Sequence, residues 1–194
     1  MNAALFYVIG ASGCGKDSLM SYARKRLPHK AKVTFAHRYI TRAADAGNEN
    51  HIALSEADFA QRLNLNCFAM HWYSHGYHYG IGQEIQHWMA QGLSVVVNGS
   101  RAHLSQAAAD FEQLHPILIE VDLAILEKRL VKRGRESKQE IINRLERAEA
   151  LSQSISHPKL TRIQNNRSLA ESGESLLSTL TRTASYEIHI FRYR

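Results

Sequence analysis

The sequence has 194 residues, of which 44% are hydrophobic, and this length favours one α/β domain with a small inserted subdomain over two full domains. Its 24 Lys and Arg against 18 Asp and Glu give a formal charge of +6, which favours polyanionic ligands such as phosphate esters or nucleic acid. Two cysteines exclude a disulfide scaffold, and the lack of a signal-peptide pattern or a membrane-length apolar stretch predicts a cytoplasmic protein without a membrane partner.

The first third of the chain predicts a strand, a helix and a second strand. Residues 4–9 form a nearly continuous apolar run followed directly by glycines, which is typical of a strand buried on both faces of a parallel sheet. The next helix should span residues 16–27 and end before a proline. Residues 32–36 then predict a strand, and residues 38–50 a polar loop. Ser55 is the expected N-cap of a short helix.

Strands and helices alternate through the rest of the chain. Residues 68–79 are rich in aromatic side chains and are interrupted by Gly76, which predicts two strands around a turn. This alternation predicts βαβ units and a three-layer α/β/α fold around a parallel sheet. Residues 186–194 are either an edge strand or a loose tail. The further predicted elements are helices over 84–91, 102–114, 123–132, 139–151 and 169–180, and strands over 94–97, 116–121 and 161–164.

The segment between the first strand and the first helix has the spacing of the phosphate-binding loop of P-loop NTPases. Its glycines let successive backbone amides turn inward, and Lys16 can reach the β and γ phosphates of a nucleotide. Cys14 is interpreted as a small filler rather than a nucleophile, although its place at a helix start could lower its pKa. The sequence therefore predicts ATP as cofactor. The predicted ATP-binding residues are Gly10, Ala11, Ser12, Gly13, Cys14, Gly15, Lys16, Asp17 and Ser18.

Asp17 occupies the position at which such loops usually carry a Ser or Thr that ligates Mg²⁺. A carboxylate is also a hard oxygen ligand, so Asp17 is the predicted magnesium ligand. The carboxyl end of the strand over 94–97 should face the same cleft, because parallel strands end on one side of a sheet. Arg101 follows that strand and is a candidate substrate-binding cation, with an exposed arginine at a helix start as the alternative.

Several motifs together resemble the guanylate kinase family of nucleoside monophosphate kinases over nearly the whole chain. The resemblance implies a guanylate-kinase-like fold for residues 1–194 as a single domain. Within it we expect an acceptor-binding subdomain inserted at residues 37–91 and an arginine lid at residues 133–145. The matching motifs are the glycine loop, Ile40-Thr41-Arg42 with Ser55 and Phe59 downstream, Tyr79-Gly80, residues 95–97, Arg129-Leu130, Arg133-Gly134, Arg144-Leu145 and Asn165-Asn166.

The same resemblance implies roles for individual residues. It places Arg42 and Tyr79 at the phosphate of the acceptor, with His51 where the family has a phosphate-binding tyrosine. It makes Arg133 and Arg144 lid arginines that act with Lys16 on the transferring phosphoryl group, and it places Asn165 near adenine. Outside this set, Arg129 and Lys132 are interpreted as ordinary cations of a solvated helix face.

Departures from the guanylate kinase pattern are equally informative. Asn98, Gly99 and Ser100 replace acidic residues that help to organise magnesium in the family, so we expect Asp17 to supply the missing carboxylate from the other side of the ion. Asp45 replaces a phosphate-binding arginine. A further set of residues replaces those that bind guanine in the family. Without those partners the polar edge of the base would stay unpaired and binding would weaken, so we expect that this protein does not bind guanine. That set is Met70 or Tyr73, in place of a glutamate, and Gly82, in place of a serine.

Longer blocks resemble the ribose 1,5-bisphosphate phosphokinases, guanylate-kinase-like enzymes of bacterial phosphonate breakdown. The blocks are residues 15–19, 37–42, 49–55 and 95–104. This resemblance implies that ATP and Mg²⁺ phosphorylate ribose 1,5-bisphosphate, giving 5-phospho-α-D-ribose 1-diphosphate and ADP, in a monomer or homodimer.

The alternatives are a guanylate kinase, an inactive guanylate-kinase-like binding module and a nucleic-acid-binding protein. The inactive modules characteristically lose the glycine loop and its lysine, which this chain keeps. Separate basic clusters without interleaved aromatic residues disfavour a nucleic-acid partner.

Overall fold

A computed structural model describes residues 3–44, 51–134 and 136–189, without the side chains of residues 151–153 and 183–189. Strands and helices alternate along these residues. Their order is β1 (Leu5–Gly10), α1 (Lys16–Arg26), β2 (Val33–Phe35), β3 (Arg38–Ile40), β4 (Ile52–Ala53), α2 (Glu56–Asn64), β5 (Phe68–Ser74), β6 (Tyr77–Gly82), α3 (Glu84–Ala90), β7 (Ser94–Asn98), α4 (Leu104–Asp110), β8 (Leu114–Glu120), α5 (Leu123–Arg133), α6 (Lys138–Ser154), β9 (Thr161–Gln164) and α7 (Leu169–His189).

The central sheet contains five strands in the order β2-β7-β1-β8-β9, and every pairing in it is parallel. β1 lies in the middle and is buried on both faces, as its apolar run predicts. Phe6 and Val8 pack with α1 and α7, whereas Leu5, Tyr7 and Ile9 pack on the opposite face with α3 and α4. Each such buried side chain stabilises the fold by about 1.5–3 kcal/mol. The predicted three-layer α/β/α fold is confirmed.

A second sheet has the strand order β4-β3-β6-β5 and lies within the segment predicted to bind the acceptor. β5 and β6 form an antiparallel pair around His75 and Gly76, which both have positive φ, so the predicted strand pair is confirmed. The prediction of a continuous loop over 38–50 is wrong at its start, because β3 pairs with β6. Residues 45–50, including Asp45, lie outside the described residues, and the boundaries of the subdomain and lid stay predictions.

Two helix boundaries also differ from the prediction. α4 ends at Asp110, because Leu114 already pairs with Leu5 in the central sheet and the chain must turn between them. α7 runs on to His189, so the predicted edge strand or loose tail is wrong for residues 186–189, and residues 190–194 are not described. The absence of proline between residues 169 and 189 leaves no break in the helix.

None of the helices in the described part of the chain combines the length and the apolar character needed to cross a membrane.

Candidate active site

The loop between β1 and α1 has the geometry of an anion-binding turn. Gly13 and Gly15 have φ of +91° and +88°, a left-handed conformation that side chains other than glycine rarely adopt. A side chain at Gly10 would begin 2.6 Å from Cys14 Sγ, so the close approach of the loop to β1 also requires glycine there. The loop leads directly into α1, whose N-terminal amides favour a bound phosphate.

Buried polar contacts hold this loop from below. The Cys14 carbonyl accepts hydrogen bonds from Asn165 Nδ2 at 2.7 Å and from Arg129 Nη1 at 3.3 Å. Arg129 Nη2 also donates to the Asn165 carbonyl at 2.8 Å. The interpretation of Arg129 as an ordinary solvated cation is therefore wrong. Asn165 is 5% exposed, and its amide supports the loop; its predicted contact with adenine stays a prediction.

Cys14 is 1% exposed, which agrees with its interpretation as a filler beneath the loop. Burial raises the pKa of its thiol, so the option of a pKa lowered by the helix start is wrong.

Lys16, Asp17 and Asn98 form a hydrogen-bonded group where the loop meets the end of β7. Asn98 Nδ2 donates to Asp17 Oδ1 at 2.9 Å, Lys16 Nζ lies 3.3 Å from the same oxygen, and Lys16 also donates to Asn98 Oδ1. Burial alone would raise the pKa of Asp17, but Lys16, Arg38 and the Asn98 amide outweigh it and lower that pKa. Asp17 is therefore an ionised carboxylate at neutral pH.

This group fits a magnesium ion bound partly by phosphate. No cluster of three or more His, Cys, Asp or Glu is present in the described residues. Mg²⁺ in kinases typically takes one or two carboxylates and completes its shell with phosphate oxygens and water. The Asp17 carboxylate, with the Asn98 amide oxygen close by, offers a donor set of that kind.

An open cleft of about 660 Å³ lies over the loop and extends to the second sheet. Its lining has a strongly positive balance, with five cations and one carboxylate among the described residues. These charged groups are Lys16, Arg38, Arg101, Arg129, Arg133 and Asp17. Such a surface can bind several phosphate groups at once.

The wall of the cleft on the second sheet is a stack of rings and one guanidinium. The Trp72 ring lies 5.6 Å from the Tyr79 ring at an interplanar angle of 2°, and 5.5 Å from the His103 ring. From the neighbouring strand, the Arg38 guanidinium lies 4.9 Å over Tyr79. The sequence motifs predicted Tyr79 in the site, whereas Arg38 and Trp72 were not among the predicted site residues. Arg38 reaches the site only through the pairing of β3 with β6, which no local pattern specifies. Trp72 lies opposite Tyr79 in the predicted strand pair, and that pairing was the signal that could have found it.

Arg101 enters the cleft on a loop that Tyr7 holds. The Tyr7 hydroxyl donates to the Ser100 carbonyl at 3.1 Å and accepts from the Ser100 amide at 2.9 Å. Burial raises the pKa of Tyr7 to about 12, so the phenol stays protonated. Gly99 packs directly on the Tyr7 ring, where a Cβ would lie 2.4 Å away. Arg101 also lines an adjoining cavity of about 450 Å³.

Arg42 and His51 lie next to each other outside the lining of the cleft. His51 is 8% exposed, and its Nε2 lies 3.1 Å from the Arg42 carbonyl. The His51 ring thus supports the backbone of Arg42. Contact of either residue with a substrate stays a prediction.

The two predicted lid arginines reach the loop from different helices. Arg133, at the end of α5, lines the cleft. Arg144, on α6, donates from Nη1 to the hydroxyl of Ser12 at 2.7 Å. Ser12 and Ser18 line the cleft as well. The structure therefore brings Lys16, Arg133 and Arg144 to the same loop.

A loop for nucleotide phosphates that faces a second, positively charged wall is the arrangement of a P-loop kinase. Comparison with known proteins agrees. A family model described as an AAA domain matches residues 7–152. A guanylate kinase from Anaplasma phagocytophilum has a similar structure, with a TM-score of 0.65 at 15% identity, covering 94% of this chain and 86% of that chain. This likeness establishes the fold.

Relatives with curated names indicate the family more specifically than the structural likeness does. Ribose 1,5-bisphosphate phosphokinase PhnN of Desulfomicrobium baculatum is 53% identical over 92% of this chain and 95% of its own length. The protein of the same name from Psychromonas ingrahamii is 49% identical over 93% of this chain and 91% of its own length. The chain belongs to the ribose 1,5-bisphosphate phosphokinase family, and it is a kinase.

Proposed function

We propose that this protein transfers the γ-phosphoryl group of ATP to ribose 1,5-bisphosphate and forms 5-phospho-α-D-ribose 1-diphosphate and ADP. The observation that carries the proposal is the cleft, in which five cations and one carboxylate meet a wall of stacked rings. Ribose 1,5-bisphosphate would bring two phosphate monoesters with a combined charge of about −3 to −4. The names of the relatives supply the substrate, and phosphonate catabolism in the cytoplasm is the setting we propose.

The reaction needs positioning more than acid–base chemistry. An oxygen of the 1-phosphate attacks the γ phosphorus, the bond to the β–γ bridging oxygen breaks, and ADP leaves with that electron pair. The second pKa of a phosphate monoester is about 6, so the attacking oxygen is already an anion at neutral pH. Catalysis then depends on in-line alignment and on neutralising charge, which a cleft rich in arginines supports.

We assign the roles around the transferring group as follows. Lys16 binds the β and γ phosphates, and Arg133 and Arg144 stabilise charge on the moving phosphoryl group. Their common location at the loop supports this assignment. The loop residues Gly10 to Ser18 bind the nucleotide, with Asn165 beneath them.

On the acceptor side, we propose that Arg38, Arg101 and Tyr79 bind the phosphates of the sugar and that Trp72 faces the ribose ring. Arg42, supported by His51, is proposed to bind the acceptor phosphate from the edge of the second sheet.

Asp17 is the proposed magnesium ligand, together with phosphate oxygens. The contact between Asp17 and Asn98 supports the idea that the loop carboxylate replaces the acid missing after β7. The ion would neutralise charge on the β and γ phosphates when bound.

The second-sheet residues favour a substrate without a base. Met70 is 3% exposed and belongs to the core, and Tyr73 points outward with 64% exposure. Neither is among the described residues that line the cleft, nor is Gly82. A guanine ring would therefore lack the partners expected for its polar edge.

The test is ADP release from ATP and Mg²⁺ with ribose 1,5-bisphosphate or GMP as acceptor. We expect at least about 100-fold higher kcat/KM with the ribose compound, and a product that a phosphoribosyltransferase consumes. Higher turnover with GMP would contradict the proposal and direct attention to Glu84, whose carboxylate lies against Gly82. Inactivity with both acceptors would also contradict it and favour a binding module.

A further inference from the structure

Glu136 connects the two lid arginines. Its Oε1 lies 3.2 Å from Arg144 Nη2 and also accepts a hydrogen bond from Arg133 Nη2. Arg133 ends α5 and Arg144 lies on the second turn of α6, so one carboxylate oxygen joins two helices. Because both guanidiniums contact the same carboxylate oxygen, they lie close together and would repel each other without it.

The carboxylate is far more buried than an ordinary surface ion pair. The Glu136 side chain is 5% exposed, against 38% for Arg133 and 32% for Arg144. Its second oxygen, Oε2, is buried and makes no hydrogen bond within the described part of the chain. Burying a carboxylate costs free energy unless charged partners offset that cost, so its place between two arginines calls for a reason beyond packing.

The contacts of the two arginines indicate that reason. Arg144 uses its other terminal nitrogen, Nη1, to donate to Ser12 of the phosphate-binding loop at 2.7 Å, and Arg133 lines the same cleft as Lys16. Glu136 therefore fixes the spacing of two cations at the loop on which the γ phosphate of a nucleotide would lie. A fixed guanidinium stabilises developing charge better than a mobile one, because it needs no rearrangement during the reaction.

We propose that Glu136 is a positioning residue that holds Arg133 and Arg144 in the arrangement required by the transferring phosphoryl group. The proposal rests on the proposed function for the roles of the two arginines. Glu136 itself would not contact the substrate; it would act through the arginines.

The Glu136→Gln variant separates positioning from simple charge and from folding. It removes one negative charge beside an anion site, so affinity for ADP should stay within about threefold or increase. Misplaced arginines should lower kcat by about 10- to 100-fold while the KM for ATP changes little. A merely structural defect would instead weaken ADP binding and lower the unfolding temperature together with kcat.

Glu140→Gln is the matched control in the same lid. The Glu140 carboxylate caps α6 by accepting from the Ser137 amide at 2.8 Å, and glutamine keeps that capping role. This variant loses the same charge near Arg144, with which the Glu140 carboxylate interacts electrostatically, but the described hydrogen bonds of that carboxylate involve Ser137 and neither lid arginine. We expect its kcat to equal that of the unchanged protein.

A second measurement does not depend on the acceptor. Binding of ADP with Mg²⁺ and aluminium fluoride, a mimic of the phosphoryl group in transfer, is compared with binding of ADP alone. Glu136→Gln should lose about tenfold in affinity for the mimic and none for ADP. Unchanged affinity for the mimic together with unchanged kcat would overturn the positioning proposal. Inactivity of the unchanged protein with ribose 1,5-bisphosphate would instead overturn the proposed function, and the mimic would still test Glu136.

Discussion

The proposed nucleotide side and the proposed acceptor side of the cleft are built in different ways. On the nucleotide side, backbone groups form the binding surface, and buried contacts from Asn165 and Arg129 to Cys14 hold them in place. On the acceptor side, the surface consists of side chains stacked on a separate sheet, chiefly Trp72 and Tyr79. Phosphate recognition can therefore stay constant in such a fold while the acceptor surface changes. Substitutions on the first side should abolish turnover with any acceptor, and those on the second should alter the KM for one acceptor.

Lys16→Ala should produce the largest effect, since it removes the cation proposed to bind both the β and the γ phosphate. We expect kcat to fall by about 10²- to 10³-fold with every acceptor. Asn98 and Asp17 keep their mutual hydrogen bond, so the unfolding temperature should change little. Lys25→Ala, at an exposed position on the same helix, is the control and should keep full activity. Retained turnover in Lys16→Ala would contradict the assignment of the loop.

Asp17→Ala should have the second-largest effect on turnover, and the size of that effect should depend on the Mg²⁺ concentration. Loss of the proposed ligand should reduce turnover at least about tenfold at limiting Mg²⁺, with partial recovery at high Mg²⁺. Asp17→Ser, which restores the residue type usual at this position, should keep part of the activity. A titration of rate against Mg²⁺ for both variants decides this. Full activity of Asp17→Ala at limiting Mg²⁺ would refute the assignment.

Arg38→Gln should affect chiefly the acceptor side, because the Asp17 carboxylate keeps its contacts with Lys16 and Asn98. Loss of a charge-assisted contact with phosphate should raise the KM for the acceptor by about 10- to 100-fold and leave the KM for ATP unchanged. Arg62→Gln is the control, because Arg62 lies 5.2 Å over the Tyr39 ring of the same sheet and is not among the described residues that line the cleft. Equal KM values for the two variants would contradict the proposed role of Arg38 at the acceptor.

Tyr7→Phe should give the smallest effect on turnover and a clear one on stability. It leaves the partly buried amide of Ser100 without its partner, which should lower the free energy of unfolding by about 1–2 kcal/mol. Tyr22→Phe, which removes an exposed hydrogen bond to Glu174, should leave the free energy of unfolding nearly unchanged. Denaturant unfolding of both variants tests the difference, and equal losses would contradict it.

The raised pKa of Tyr7 adds a dependence on pH. Its contribution to stability should be complete below the ordinary tyrosine pKa of 10.0 and should be lost as the pH rises through about 12. The unfolding free energy of the unchanged protein should therefore fall more steeply above pH 10 than that of Tyr7→Phe. Equal dependence of the unfolding free energy on pH in the two proteins would contradict the assignment of this effect to Tyr7.

Local patterns in the sequence predicted the loop and most of the central sheet. The glycines around Lys16 and the apolar run of β1 carry their information within a few residues. The sequence analysis missed β3 because a three-residue strand such as Arg38–Ile40 exists only through its pairing with β6. It also misjudged Arg129, which belongs to a helix rich in cations and is distinguished from them only by its contact with a distant loop.

The sequence by itself determined the α/β fold and the phosphate-binding loop, because hydrophobic periodicity and glycine spacing act over short distances. Tertiary structure alone decided which charged side chains meet. Arg38 lines a cleft with Lys16, and Glu136 joins Arg133 to Arg144 across two helices. Contacts of this kind depend on how strands pair and helices pack, since charged residues on exposed helices look alike until the fold brings a few of them together.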